Sequence, residues 1–207
     1  VSTEPRAASV RSPRLPRDER RAQLLSAALE VFAANGYHGA AMDDIAETAQ
    51  VSKPVLYQHF PSKRELYLAL LDSHLATLEE LMKTALGSTS DNRERVRAVM
   101  RAYYEFIAKD DKAHRLVFES DLVNDPDVAS RLENFNRGFA EAIARVIAAD
   151  TKLPMVEAQL LGRSLAGMAQ VSARYWLETS GDLPIDVASD LVSRLAWRGI
   201  SRFPKEA

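Results

Sequence analysis

The sequence predicts an all-α fold of about nine helices in two parts, a small N-terminal three-helix unit joined by one long helix to a larger helical body. Three observations predict it. Apolar residues after Pro16 recur at helical spacing. No stretch alternates convincingly as a strand would. Proline, Asn-Gly and hydroxyl residues punctuate the chain where helices begin and end.

Residues 1–16 are rich in Pro, Ser, Ala and Arg and poor in large apolar groups, a composition that predicts a flexible basic arm. The first helix is predicted over 17–34, with Leu25, Ala28, Leu29 and Phe32 on one face and Asn35-Gly36 ending it. Short helices follow over 42–49 and 52–59, separated by a tight turn at Gln50-Val51. Ser52 is the expected cap of the second, and Pro54 falls in its first turn, where a missing N–H costs little. Ser62 caps a long helix through Leu86, and Glu65 three residues on completes a capping box. Five further helices are expected over 92–109, 112–123, 127–149, 155–179 and 185–202, with Pro126, Pro154 and Pro184 at three of the starts. The domain reading is therefore an arm (1–16), a three-helix unit (17–62) and a body (63–207).

The 207 residues are long enough to bury a core without covalent staples. With no cysteine there is no disulfide framework, thiolate metal site or cysteine nucleophile, which suits a cytoplasmic protein. No segment is long and apolar enough to span a bilayer, so no membrane partner is expected. The four histidines (His38, His59, His74, His114) lack metal-ligand spacing, and no phosphate-binding loop is present. The sequence thus argues against an enzyme and against a metal or cofactor, while an all-helical adaptor stays open as a rival. The net charge of −2 is unevenly spread. Between Val1 and Arg21 six arginines face three acids, and the remainder of the chain is acidic. Local rather than total charge decides whether phosphates are neutralised.

Residues 42–60, MDDIAETAQVSKPVLYQHF, read as a helix-turn-helix. Two helices cross steeply through a short turn when the crossing point is small and the inner faces are apolar. Ala46 and Ala49 supply the small contacts, and Ile45, Val51, Val55 or Leu56, and Phe60 the apolar ones. The second short helix is left with Lys53, Pro54, Tyr57, Gln58 and His59 facing outward, side chains suited to phosphates and base edges in a major groove.

The string resembles the TetR family signature. Gly36-Tyr37, Asp44-Ile45-Ala46, Val51-Ser52, Leu56-Tyr57, His59-Phe60, Lys63 and Leu66 fall at that family's spacing. The resemblance implies a transcription regulator that binds double-stranded operator DNA. It implies that Lys53, Tyr57, His59 and Lys63 contact the DNA backbone, and that Val55 reads a base and Gln58 a base or a neighbouring phosphate, with Pro54 in the same surface. The alternatives are a core role for Tyr57 with its hydroxyl in solvent, and an inert surface role for His59. Ala40 and Ala41 stand where most members carry Thr or Ser, and Gln50 and Pro54 where glycine is common.

The body carries apolar stripes that read as core or as the wall of an adaptable pocket: Leu78, Met82, Met100, Tyr104, Ile107, Phe118, Phe135 and Phe139. The resemblance implies a sensor with its pocket there, and the scarcity of buried polar groups favours an apolar effector. The strings RLPRDERRAQLL, VSKPVLYQHF and ARYWLE are similar to an actinobacterial subgroup that regulates fatty-acid synthesis, which implies an acyl-CoA effector. A repressor of an efflux or catabolic operon, answering another hydrophobic molecule, is the alternative. Arg101, Lys112 and Arg115 read as solvated charge or as phosphate ligands at a pocket mouth. The last two helices are expected to form a homodimer interface in which Gly162 and Gly167 allow close approach; the alternative places Gly162 within the monomer.

Overall fold

A computed structural model describes residues 15–109, 112, 122, 124–179 and 182–200, with Ile200 described by its backbone alone. Among these residues there are eight helices and no strand: α1 (Arg17–Gly39), α2 (Met42–Thr48), α3 (Lys53–His59), α4 (Lys63–Gly87), α5 (Asn92–Lys109), α6 (Pro126–Asp150), α7 (Met155–Glu178) and α8 (Ile185–Ile200). The all-α expectation holds. The helix expected over 112–123 lies, apart from Lys112 and Leu122, outside the described residues.

Helix α1 packs on α2 and α4, and α2 on α3. Leu24, Ala28 and Phe32 of α1, Ile45 of α2, Leu56 of α3 and Leu66 of α4 are all buried in this small unit. Leu25, expected on the inner face of α1, is only half-buried, because the buried stripe runs through Leu24, Ala28 and Val31. The end of α1 also differs from expectation. The helix breaks at Gly36 (φ 68°, ψ 172°) but takes one more turn through Gly39, closed by the Ala40 N–H donating to the Gly36 carbonyl at 3.2 Å. That backbone region is open essentially to glycine alone. The extra turn brings Tyr37 between Phe32 (centroids 5.9 Å) and Tyr67 of α4 (5.3 Å), an aromatic joint between α1 and α4.

Helix α4 continues from this joint into the body, where it packs on α5 and α6. Ser62 caps it as expected, its Oγ accepting from the Glu65 N–H at 3.1 Å. Helices α6 and α7 form the most extensive pair in the fold. Gly162 sits at their contact: a Cβ there would lie 2.3 Å from the Ala140 carbonyl oxygen. The expectation that Gly162 serves an intermolecular interface is therefore corrected in favour of its alternative; its missing side chain lets α7 lie against α6 of the same protomer. Nothing lies within 4 Å of a Cβ built on Gly167. No described helix is long and apolar enough to cross a membrane.

Candidate nucleic-acid interface

The turn between α2 and α3 is set by hydrogen bonds at the end of α2. The Val51 N–H donates to the Ala46 carbonyl at 3.0 Å and the Gln50 N–H to Glu47 at 2.9 Å, a pair of bonds that needs a left-handed residue at position 50. Gln50 adopts it, with φ 53°. Ala46, Ala49, Leu56 and Phe60 are buried at the crossing, as the sequence indicates. From α1, Gln23 Nε2 donates to the Ala49 carbonyl at 2.8 Å, and the Arg21 guanidinium lies 4.5 Å over the Phe60 ring. Two helices too short to be stable alone are thus clamped from one side by α1.

The other side of α3 is open. Ser52, Lys53, Pro54, Tyr57 and Gln58 are exposed, Tyr57 at 45% of its full area, while Val55 and His59 are half-buried. Ser52 occupies the cap position, but its hydroxyl makes no capping bond, contrary to expectation. Ala41 leaves α2 without a side-chain cap as well. Lys53 Nζ pairs with Asp43 at 2.6 Å, and this hydrogen bond raises the ammonium's affinity for its proton. Both partners are exposed, so the pair is weak and exchangeable against phosphate.

Lys63 is placed differently from the other six expected residues. Its ammonium donates to the carbonyls of Tyr37 (2.8 Å) and Ala40 (2.9 Å), with His38 at 3.5 Å, and lies 4.6 Å from the centre of the Tyr37 ring. It staples the start of α4 to the end of α1. Its three N–H donors are aimed at protein carbonyls.

Sequence reading missed two members of this surface. Arg17 and Arg20 line a groove of about 400 Å³ together with Leu15, Val55, Gln58 and His59. Burial lowers the proton affinity of His59, and Arg17, Arg21 and Arg20 lower it further. The i, i+3 spacing of Arg17 and Arg20 was the available signal.

In the body, Leu78, Met82, Met100, Tyr104, Ile107, Phe135 and Phe139 are all buried in the core; Phe118 lies outside the described residues. Phe135 and Phe139 stack at 6.3 Å, and Tyr104 packs on Trp176 at 5.5 Å. An apolar cavity of about 90 Å³ opens between α5, α6, the middle of α7 and the ends of α4 and α8, and only Met100 of the expected set lines it. Its walls are Val96, Val99, Ile143, Ile147, Leu165 and Trp197, and Asn92, Arg95 and Asp150 stand at its edge. Cavities that hold drug-sized ligands are about 300–1,000 Å³, so this one is a seed rather than a finished site. Arg101 pairs with Glu105 (2.7 Å) and Asp186 (3.2 Å), and Lys112 with Glu30, which favours the surface-charge reading of these two; Arg115 lies outside the described residues. Among the described residues no cluster of His, Asp and Glu could hold a metal ion.

Residues 24–70 match the bacterial regulatory proteins of the tetR family. Over 97% of its length the chain is 44% identical to the HTH-type transcriptional activator FasR of Mycolicibacterium smegmatis, 91% of which is covered. A TetR-like transcriptional regulator from Rhodococcus sp. RHA1 shares 30% identity and superposes with a TM-score of 0.75, covering 91% of this chain and all of that one. The fold is also similar to Bacillus subtilis FadR in complex with stearoyl-CoA, at 18% identity and a TM-score of 0.67, over 84% of this chain and 96% of that one. An exposed polar face on α3, clamped from behind, is what that relationship requires of a regulator, and the chain belongs to the TetR family of DNA-binding transcription regulators.

Proposed function

We propose that the protein is a cytoplasmic homodimer that binds operator DNA of lipid synthesis genes and changes its operator affinity when a long-chain acyl-CoA enters the body. The observation that carries the DNA half is the division of α3: Leu56 is fully buried, while Lys53, Pro54, Tyr57 and Gln58 face solvent. In this reading residues 17–62 are the DNA-binding unit and 63–207 the ligand and dimerisation unit. Lys53, Tyr57 and His59 hold phosphates, and Val55 and Gln58 meet base edges, with Pro54 fixing the backbone between them.

Dimerisation through α7 and α8 is supported by apolar groups left in solvent. Val156, Leu160, Val171 and Tyr175 recur along α7, and Val187, Leu191 and Leu195 at four-residue spacing along α8. Leu160 is 69% and Leu195 64% exposed in the single chain. Such stripes are costly unless covered, and a two-fold pairing of the same stripes covers them. Two α3 helices then meet successive major grooves, about 34–36 Å apart or a multiple of it.

The effector half rests on the apolar core around α4, α5 and α6 and on the likeness to FasR. An acyl chain must part Leu78, Met82, Met100, Tyr104 and Ile107, and the unbranched Met side chains yield most readily. Because α4 packs on α1 at one end and on α5 and α6 at the other, any displacement of it moves the unit that carries α3. A ligand that favours one separation of the two α3 helices alters operator affinity through that difference alone.

The test is operator affinity by fluorescence anisotropy with and without saturating palmitoyl-CoA and stearoyl-CoA. A change of about fivefold or more is expected, the lower end of typical couplings. Equal affinities dismiss acyl-CoA, and mass spectrometry of copurified molecules then identifies another hydrophobic effector, as an efflux or catabolic regulator would have.

A further inference from the structure

Beside α3, on the side facing the start of α1, lies the groove formed by Leu15, Arg17, Arg20, Val55, Gln58 and His59. None of its six lining residues is acidic. Arg21 is committed over the Phe60 ring and Arg20 Nη1 to Gln23 Oε1 at 2.7 Å, but Arg17 has no carboxylate partner among the described residues. Asp18 and Glu19 share the turn yet do not line the groove. Burial and then the guanidiniums of Arg17, Arg21 and Arg20 hold the half-buried His59 towards its neutral form, in keeping with a locally positive groove. Leu15 and Val55 give the same groove an apolar wall.

Cationic donors over an apolar wall match a sugar–phosphate unit better than a free anion, because deoxyribose offers an apolar face beside its phosphate. The groove also adjoins Val55 and Gln58 of α3. We propose that this groove seats a backbone phosphate and its deoxyribose from the DNA flanking the major-groove segment beneath α3, with Arg17 as the main phosphate ligand and Arg20 beside it. Each half-site then extends outward past the bases α3 meets. The inference rests on α3 docking into a major groove.

The experiment measures the salt dependence of binding by the full-length dimer to a selected operator duplex, in wild type, Arg17→Gln, Arg17→Lys and Tyr57→Ala. Each phosphate contact contributes about 0.9 to the slope of log K against log salt, so losing one per protomer flattens the dimer's slope by about 1.8. Arg17→Gln is expected to show that loss and Arg17→Lys to restore most of it. Trimming the outer flanking base pairs from the duplex is expected to weaken wild type while leaving Arg17→Gln nearly unaffected. An Arg17→Gln slope equal to wild type, or equal sensitivity of both proteins to trimming, overturns the inference. The trimming arm on wild type is independent of how Arg17→Gln folds: full wild-type affinity for the trimmed duplex also overturns the inference. If wild type binds no duplex in a sequence-dependent way, the DNA-binding reading itself fails; if wild type binds and Tyr57→Ala weakens it while Arg17→Gln does not, only this groove is removed from the interface.

Discussion

Arg64, in the first turn of α4, reaches the Asp125 carboxylate at 3.0 Å and Asp127 at 2.5 Å across the gap to the first turn of α6. Asp125 is at the same time the cap of α6, accepting from the N–H groups of Asp127 (2.9 Å) and Val128 (3.3 Å). One turn further along, Arg131 of α6 returns to Asp72 of α4 at 2.7 Å. The helix that carries the DNA-binding unit is therefore latched to the body by charge at its upstream end and by apolar packing beyond it.

The latch has a defined pH window. Partial burial pushes the Asp125 carboxyl up, but the N–H donors of Val128 and Asp127 and the Arg64 guanidinium outweigh it and hold the group below its ordinary value of 3.8. A depressed folded-state value contributes stability above the unfolded value and loses it as pH falls through the folded one. Wild type and Arg64→Ala should therefore differ by a constant, small amount in thermal midpoint between about pH 5 and 8, and converge below about pH 4. A difference that changes between pH 6 and 8 contradicts the assignment.

His59 titrates the other way with respect to DNA. Burial and then Arg17, Arg21 and Arg20 of α1 depress it in the free protein. Nearby phosphates favour the imidazolium, so the complex takes up a proton. Operator affinity should rise as pH falls from about 8 to 6, and His59→Gln should flatten that dependence. Anisotropy titrations across this range at fixed ionic strength provide the check.

At position 162 helix α7 has no room for a side chain against α6. With the Ala140 carbonyl 2.3 Å from the added Cβ, Gly162→Ala must separate the two helices and should destabilise by roughly 1–3 kcal/mol in chemical denaturation. Gly167→Ala, in the same helix with open space around it in the single chain, should leave the α6–α7 contact undisturbed.

The exposed stripes on α7 and α8 make a separate prediction. Leu191→Glu combined with Leu195→Glu should convert the protein to a folded monomer in sedimentation and weaken operator binding at least tenfold, since one α3 helix then binds without its partner. An unchanged dimer places the interface elsewhere.

Much of this was legible in the sequence because it depends on local chemistry. Ser62 with Glu65, the buried pair Ala46 and Ala49, and the exposed Lys53, Pro54, Tyr57 and Gln58 around buried Leu56 follow from spacing and side-chain type. Three features did not. The extra turn after Gly36 exists because Tyr37 finds Phe32 and Tyr67, a contact between residues thirty apart. Lys63 turns inward because that same turn presents carbonyls to it, which spacing along α4 does not encode. Arg17 and Arg20 join α3 only once α1 has folded over the turn. The apolar residues of the body show the limit from the other side: their periodicity gives burial, and burial alone does not separate a core from a pocket that a ligand opens.

Operator binding depends most directly on the open face of α3. Hydroxyl-radical footprinting on a duplex selected from random sequence should show two protected segments, one per protomer, related by a two-fold axis and spaced by about one helical turn or a multiple of it. Tyr57→Ala with Lys53→Ala should abolish that protection while sedimentation still shows a dimer. A dimer that selects no sequence, or a double variant that protects the same segments as wild type, would contradict it.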